Sequence, residues 1–140
     1  PRSAPLPDGA LWPAKVICDV LHEHGFGQEV QTYLTRTKAV PRSSNSPAAE
    51  RPLVPVHLDS IEAERPFFVP DKITIVDDVL TMGRTSFACA ELLQAVCPDA
   101  EIRIFAMIRT QGLQDDIEKI VDPATGIIVG YPSGKTHRDP

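Results

Sequence analysis

Two adjacent acids, Asp77 and Asp78, close the β-branched run Ile73 to Val76 and are followed by Thr81, Gly83, Thr85 and Ser86. Carboxylates repel phosphate, so the acid pair suits sugar hydroxyls or a magnesium shell. The residues after it suit an anion. Gly83 lets the backbone turn closely around a ligand, and the first N–H groups of a helix lack internal partners and sit at the positive end of its dipole. One short segment therefore offers a hydroxyl-binding acid pair beside a phosphate cradle, and a phosphorylated ribose presents both features. Asp is also common in plain turns after strands, but a plain turn gives no reason for the ordered Thr81, Gly83 and Thr85. A receiver domain likewise has two acids after an apolar strand. It places that strand at its start, however, and needs a phosphorylated Asp on a later strand, and the stretch after Asp122 is short for the rest of such a fold.

A site of this kind needs a strand before it and a helix after it. Lys72 to Asp77 reads as a buried strand. Thr85 to Val96 reads as a helix, with Ala88, Leu92 and Val96 on one face and Cys89 and Leu93 beside them. Ile102 to Ile108 is the next strand, so the unit is strand, helix, strand with a parallel pairing, and the loop lies at the carboxyl edge where such folds bind ligands. Upstream, a helix is expected from about Leu11, with Pro13 in its first turn, an apolar face of Trp12, Val16, Ile17, Val20 and Leu21, and a stop at Gly25. Val30 to Lys38 alternates and is rich in β-branched residues, as an edge strand is. Arg42 to about Arg65 lacks periodicity, Leu113–Val121 suggests a short helix, and Gly126–Gly130 a last short strand.

The 14 prolines cluster in 1–13, 41–70 and 123–140, between the regular pieces. A chain of 140 residues with 42% apolar and 24% charged residues fits one domain with one core. The net charge of −5 argues against a nucleic-acid footprint, and no apolar run approaches the ~20 residues of a membrane span. Cys18, Cys89 and Cys97 lack metal-ligand spacing and read as reduced thiols, which suits the cytoplasm.

Ile73–Thr85 resembles the phosphoribosyl-pyrophosphate motif of type I phosphoribosyltransferases: four apolar residues, two acids, two variable residues, then Thr-Thr-Gly-x-Thr. The resemblance implies an α/β chain with the type I phosphoribosyltransferase fold, a mainly parallel central sheet flanked by helices, as a single domain over 1–140. Within the family the amidophosphoribosyltransferase-like and competence-protein-like members are most similar. It further implies nucleotide metabolism, and transfer of a phosphoribosyl group from phosphoribosyl pyrophosphate to a nitrogen acceptor with magnesium bound to the diphosphate. A non-catalytic nucleotide-sensing module of a larger assembly is the alternative. Asp77 and Asp78 would act in catalysis and, indirectly, on the metal. Val79, Leu80, Thr81, Met82, Gly83, Arg84 and Thr85 would hold the 5-phosphate and ribose, Arg2 and Ser3 the pyrophosphate.

The family's mobile hood would span about 40–65, placing Arg51 and His57 as candidates for pyrophosphate or acceptor contacts, or else as solvated loop residues, with Arg42 and Arg65 in the same position. The opening Pro1-Arg2-Ser3 resembles the end of the family's first strand, so the chain is expected to lack part of its N-terminal region, with an upstream segment, a second chain or a homo-oligomer completing the sheet. Residues from about 131 to 140, with Lys135, His137 and Arg138, are expected to form a flexible tail or to contact phosphate or a partner. His22 and His24 suit a helix C-terminus, and Trp12 suits a core anchor. Two residues depart from the family pattern: Met82 lacks a hydroxyl and Arg84 replaces a small residue. Arg84 is expected to close over the phosphate in compensation, or to point to solvent.

Overall fold

A computed structural model of the chain describes residues 4–41, 51–110 and 122–139. Its centre is the strand–helix–strand unit. The strands β3 (Lys72–Leu80) and β4 (Glu101–Arg109) pair in parallel from Lys72↔Glu101 to Leu80↔Arg109, and α3 (Arg84–Val96) joins them. α3 buries Ala88, Cys89 and Leu93. Cys89 and Leu93 meet Ile75 of β3, with Ile73, Ile102 and Ile104 packed around them. The β-branched runs make the strands, and the helical spacing of Cys89 and Leu93 sets the side of the helix they cover.

Before this unit come α1 (Pro13–Glu23), β1 (Leu34–Arg36), α2 (Val54–Leu58) and β2 (Ile61–Ala63); after it come β5 (Ile127–Gly130) and β6 (Thr136–Asp139). The described strands form three two-stranded sheets: β3–β4 parallel, β1–β2 and β5–β6 antiparallel. The chain is thus mixed α/β with one parallel pair, and a wider parallel sheet is not present among the described residues. No helix among them is long and apolar enough to cross a membrane.

Local punctuation reads true. Pro13 opens α1, and Gly25, at φ 79°, closes it. The Gly25 N–H meets the His22 carbonyl at 2.9 Å and the Phe26 N–H meets that of Leu21 at 2.9 Å, the paired bonds of a Schellman stop. The apolar face of α1 is only partly used, since Val16 and Val20 stay 48% and 47% exposed. Cys89 and Cys97 are buried free thiols, whereas Cys18 is only half-buried.

Three expectations need correction. The Val30–Lys38 strand shrinks to Leu34–Arg36, because the facing strand that pairs with it is only Ile61–Ala63. Residues 54–63 of the expected irregular loop are ordered: α2 is a single turn opened by Pro55, with the Val54 N–H on the Gly134 carbonyl at 2.9 Å, and Ile61 is in the core. A five-residue helix is too short to show periodicity, so its order comes from tertiary contacts. The expected flexible tail is instead the β5–β6 hairpin. It turns at Gly134 (φ 75°), where the Gly134 N–H meets the Tyr131 carbonyl at 2.8 Å. Its polar residues are held by backbone carbonyls of the β3–α3 turn, a device that hydrophobic patterning does not reveal. The Leu113–Val121 helix, Arg2, Ser3 and Arg42 lie outside the described residues.

The hairpin also packs tightly: a Cβ on Gly130 would collide with the ring of Phe87. Gly130→Ala is therefore expected to destabilise the fold by about 1–3 kcal/mol through overpacking. Adding Phe87→Leu should recover part of the loss. Urea denaturation checks both, and an unchanged midpoint for Gly130→Ala would refute the packing.

Candidate functional site

The β3–α3 turn is built on Gly83, which caps α3 at φ 76° without a side-chain cap. A Cβ there would meet Ile128 Cδ1 at 2.7 Å, so both the backbone angle and the packing demand glycine. The carbonyls of the turn are taken from behind. That of Leu80 accepts from the Thr110 N–H at 3.0 Å and from Arg138 Nη1 at 2.9 Å, and that of Met82 accepts from Thr136 Oγ1 at 2.6 Å. The first α3 N–H to find a partner is that of Phe87, on the Gly83 carbonyl at 2.8 Å. Those of Arg84, Thr85 and Ser86 precede it, as the unpaired donors of a helix start do.

In front of the turn lies a cavity of about 620 Å³, within the size range of small-ligand sites. The unbroken run Asp77 to Ser86 forms one wall. The others include Trp12, Arg36, Arg51 and His57. Every expected site residue from Asp77 to Thr85 thus lines one cavity, together with both hood candidates. Trp12 is half-buried on its wall rather than deep in a core, and its Nε1 is buried without a hydrogen-bond partner.

The two acids are not equivalent. Asp77 accepts from Ser86 Oγ at 2.9 Å through one oxygen and from the Asp78 N–H at 3.1 Å through the other. Burial pushes its carboxyl above the usual carboxylate range, and the neighbouring Asp78 charge pushes the same way, while the Ser86 bond pulls it back. Asp78 accepts from the Val79 N–H at 3.0 Å. Ser86 therefore serves to hold Asp77 rather than to bind an anion. The described residues include no group of three or more His, Cys, Asp or Glu that could hold a metal. Two carboxylates fit a magnesium ion that arrives with phosphate oxygens and keeps several waters, since such ions take only one or two protein carboxylates.

The basic residues behave unexpectedly. His57 is 1% exposed, not solvated. Its Nδ1 lies 3.4 Å from Arg36 Nη2 and its Nε2 3.4 Å from Thr85 Oγ1. Burial, then the Arg36 and Arg84 charges, lowers its pKa to about 4. Arg36 is itself buried, donates to Ser60 Oγ, and is held below its ordinary value by desolvation. It went unread because an arginine in an alternating strand is normally assigned to the solvent face; its parity with half-buried Leu34 was the available signal. Arg84 lines the cavity and is half-buried rather than solvated. Its Nη1 donates to the Arg51 carbonyl at 2.8 Å and to that of Pro52 at 3.4 Å, and its Nε is buried without a partner. Arg65 is exposed and does not line the cavity, and His22 and His24 stay at the end of α1, His22 Nδ1 donating to the Gly27 carbonyl at 3.0 Å. No protein-family model, curated protein or solved structure matches the chain.

The His57 environment has a signed consequence. Its folded pKa of about 4 lies below the unfolded value of about 6.5. Neutral His57 therefore contributes fully above pH 6.5, and that contribution is lost as pH falls toward 4. The window corresponds to about 3 kcal/mol. The stability difference between the parent and His57→Gln should shrink by that order between pH 7 and pH 4 in urea unfolding; a difference flat across this range would mean that His57 is not buried neutral.

Proposed function

We propose that this chain is a type I phosphoribosyltransferase-like protein. It binds phosphoribosyl pyrophosphate, or a nucleotide carrying ribose 5-phosphate, and transfers the phosphoribosyl group to a nitrogen acceptor in the cytoplasm. The observation that carries the reading is a single cavity walled by the whole run Asp77–Ser86, with an acid pair at one end and a helix start at the other. The parallel β3–α3–β4 unit supports it, since ligands of such units sit at the carboxyl end of the strands. Free cysteines support the compartment.

In this reading Thr81, Thr85 and the N–H groups from Met82 to Thr85 receive the 5-phosphate, and Gly83 admits it closely. Asp77 and Asp78 accept from the ribose hydroxyls. Asp77, fixed by Ser86, gives the more rigid contact, and a carboxylate near the sugar ring also favours the positive charge that develops as the glycosidic bond breaks. Arg36 and Arg51 place positive charge on the cavity wall facing the diphosphate. A magnesium ion arriving with the diphosphate, held indirectly by Asp77 and Asp78, would supply charge neutralisation of the leaving group. The protein's remaining work is orientation, so no covalent nucleophile is required. A sensing module is the second reading. It is favoured by Met82, which brings no hydroxyl to the cradle, and by Arg84, whose Nη1 is engaged on the Arg51 and Pro52 carbonyls.

Calorimetry with ribose 5-phosphate tests the site. Asp78→Asn is expected to weaken binding about tenfold through loss of charge-assisted bonds. Asp77→Asn should weaken binding too and cost about 1 kcal/mol of stability, because the Ser86 bond becomes a neutral one. A parent protein that binds neither ribose 5-phosphate nor phosphoribosyl pyrophosphate sinks the assignment. Acceptor-dependent pyrophosphate release with magnesium and a panel of bases marks the enzyme; binding without turnover marks the sensor.

A further inference from the structure

We propose that Arg36, His57 and Thr85 form a hydrogen-bond relay that fixes the Thr85 hydroxyl as a donor to the bound phosphate, with His57 as a positioning residue. The inference rests on the phosphate-binding reading of the β3–α3 turn and adds to it how that turn is aimed.

The argument is one of donor and acceptor balance. A guanidinium has donors only. Arg36 Nη2, 3.4 Å from His57 Nδ1, therefore requires that nitrogen to accept. In a neutral ring the proton is then on Nε2. Nε2 faces Thr85 Oγ1 at 3.4 Å, so the threonine oxygen accepts, and no other hydrogen bond to that oxygen is found among the described residues. Its own proton must then be directed elsewhere, and Thr85 lines the cavity at the first turn of α3. A hydroxyl ordinarily rotates between donating and accepting. Here the direction is set from outside. A protonated His57 would turn a proton toward Arg36 and set two cations against each other; burial first, and this repulsion second, keep the ring neutral.

The relay is anchored at its far end. Arg36 Nη1 donates to Ser60 Oγ, and that hydroxyl reaches the Val56 carbonyl at 2.7 Å, within the turn that carries His57. β1, α2 and the cradle thus share one hydrogen-bonded line. Both ring contacts are long, as such bonds often are before a ligand arrives. A phosphate accepting from Thr85 increases the acceptor strength demanded of Oγ1 and tightens the chain toward Arg36.

The test has two arms on the full chain. Nitrogen NMR of ¹⁵N-histidine-labelled protein at pH 7, without ligand, should show His57 as the Nε2–H tautomer; the Nδ1–H tautomer overturns the relay. Calorimetry with inorganic phosphate and with ribose 5-phosphate then reads a cycle. His57→Leu should weaken both ligands roughly five- to tenfold. His57→Gln, which can accept and donate along the same line, should keep most of the affinity. In a Thr85→Val background, His57→Leu should cost nothing further, because its effect passes through that hydroxyl. An equal loss in both backgrounds makes His57 merely structural and overturns the proposal. If His57→Leu does not fold, the tautomer and the His57→Gln titration still decide. A parent that binds neither ligand sinks the phosphate site and the relay together, whereas a parent that binds both with the wrong tautomer sinks the relay alone.

Discussion

The grip of the β5–β6 hairpin on two backbone carbonyls is the constraint on which the rest depends. A turn centred on a left-handed glycine without a side-chain cap has many shapes within reach, and glycine makes the alternatives inexpensive. Arg138 on Leu80 and Thr136 on Met82 remove that freedom by holding the acceptor side of the loop, and Ile128 fills the space a side chain at 83 would take. The donors of the helix start are then presented to the cavity by default. Holding Arg138 there has a cost, since desolvation lowers the proton affinity of its guanidinium, and its bonds to the Leu80 and Thr110 carbonyls offset it.

Burial acts on the charges around this turn, raising the pKa of the Asp77 carboxyl and lowering that of the Arg36 guanidinium. Asp77 and Arg36 both act on the thiol of Cys89, which burial raises to about 11, leaving it protonated and inert. Asp77 meets a hydroxyl and a backbone N–H, and Arg36 a hydroxyl and a neutral imidazole. The four ion pairs found among the described residues have partly to largely exposed partners and contribute little.

What the sequence disclosed follows from the range of the forces involved. β3, α3 and β4 were legible because β-branched runs and helical spacing are local signals, and Gly25 and Gly83 because a left-handed turn favours one residue type. The wall Asp77–Thr85 was legible for the same reason, since it is contiguous. α2 and β6 were not. One is a single turn fastened by the Gly134 carbonyl; the other consists of Thr, His, Arg and Asp paired with β5 and bonded to a distant loop. Polar contacts between segments leave no periodic trace. His57 and Arg36 were obscured by the same limit: both look like surface residues until the fold brings them behind Thr85.

The hairpin's hold also sets an order of assembly. The bonds that shape the turn join residues 54 and 58 positions apart, while β3, α3 and β4 are neighbours in the chain. Local contacts form first, and distant ones must wait for loop closure. On a ribosome adding about 5–20 residues each second, roughly 3–12 s separate the synthesis of Leu80 from that of Arg138. Throughout that interval the strand and helix are able to pair while the glycine turn between them is still unbraced. The pocket therefore acquires its shape only after the hairpin has been made, and a nascent chain carries the complete acid and hydroxyl motif well before it has a cavity with which to use it.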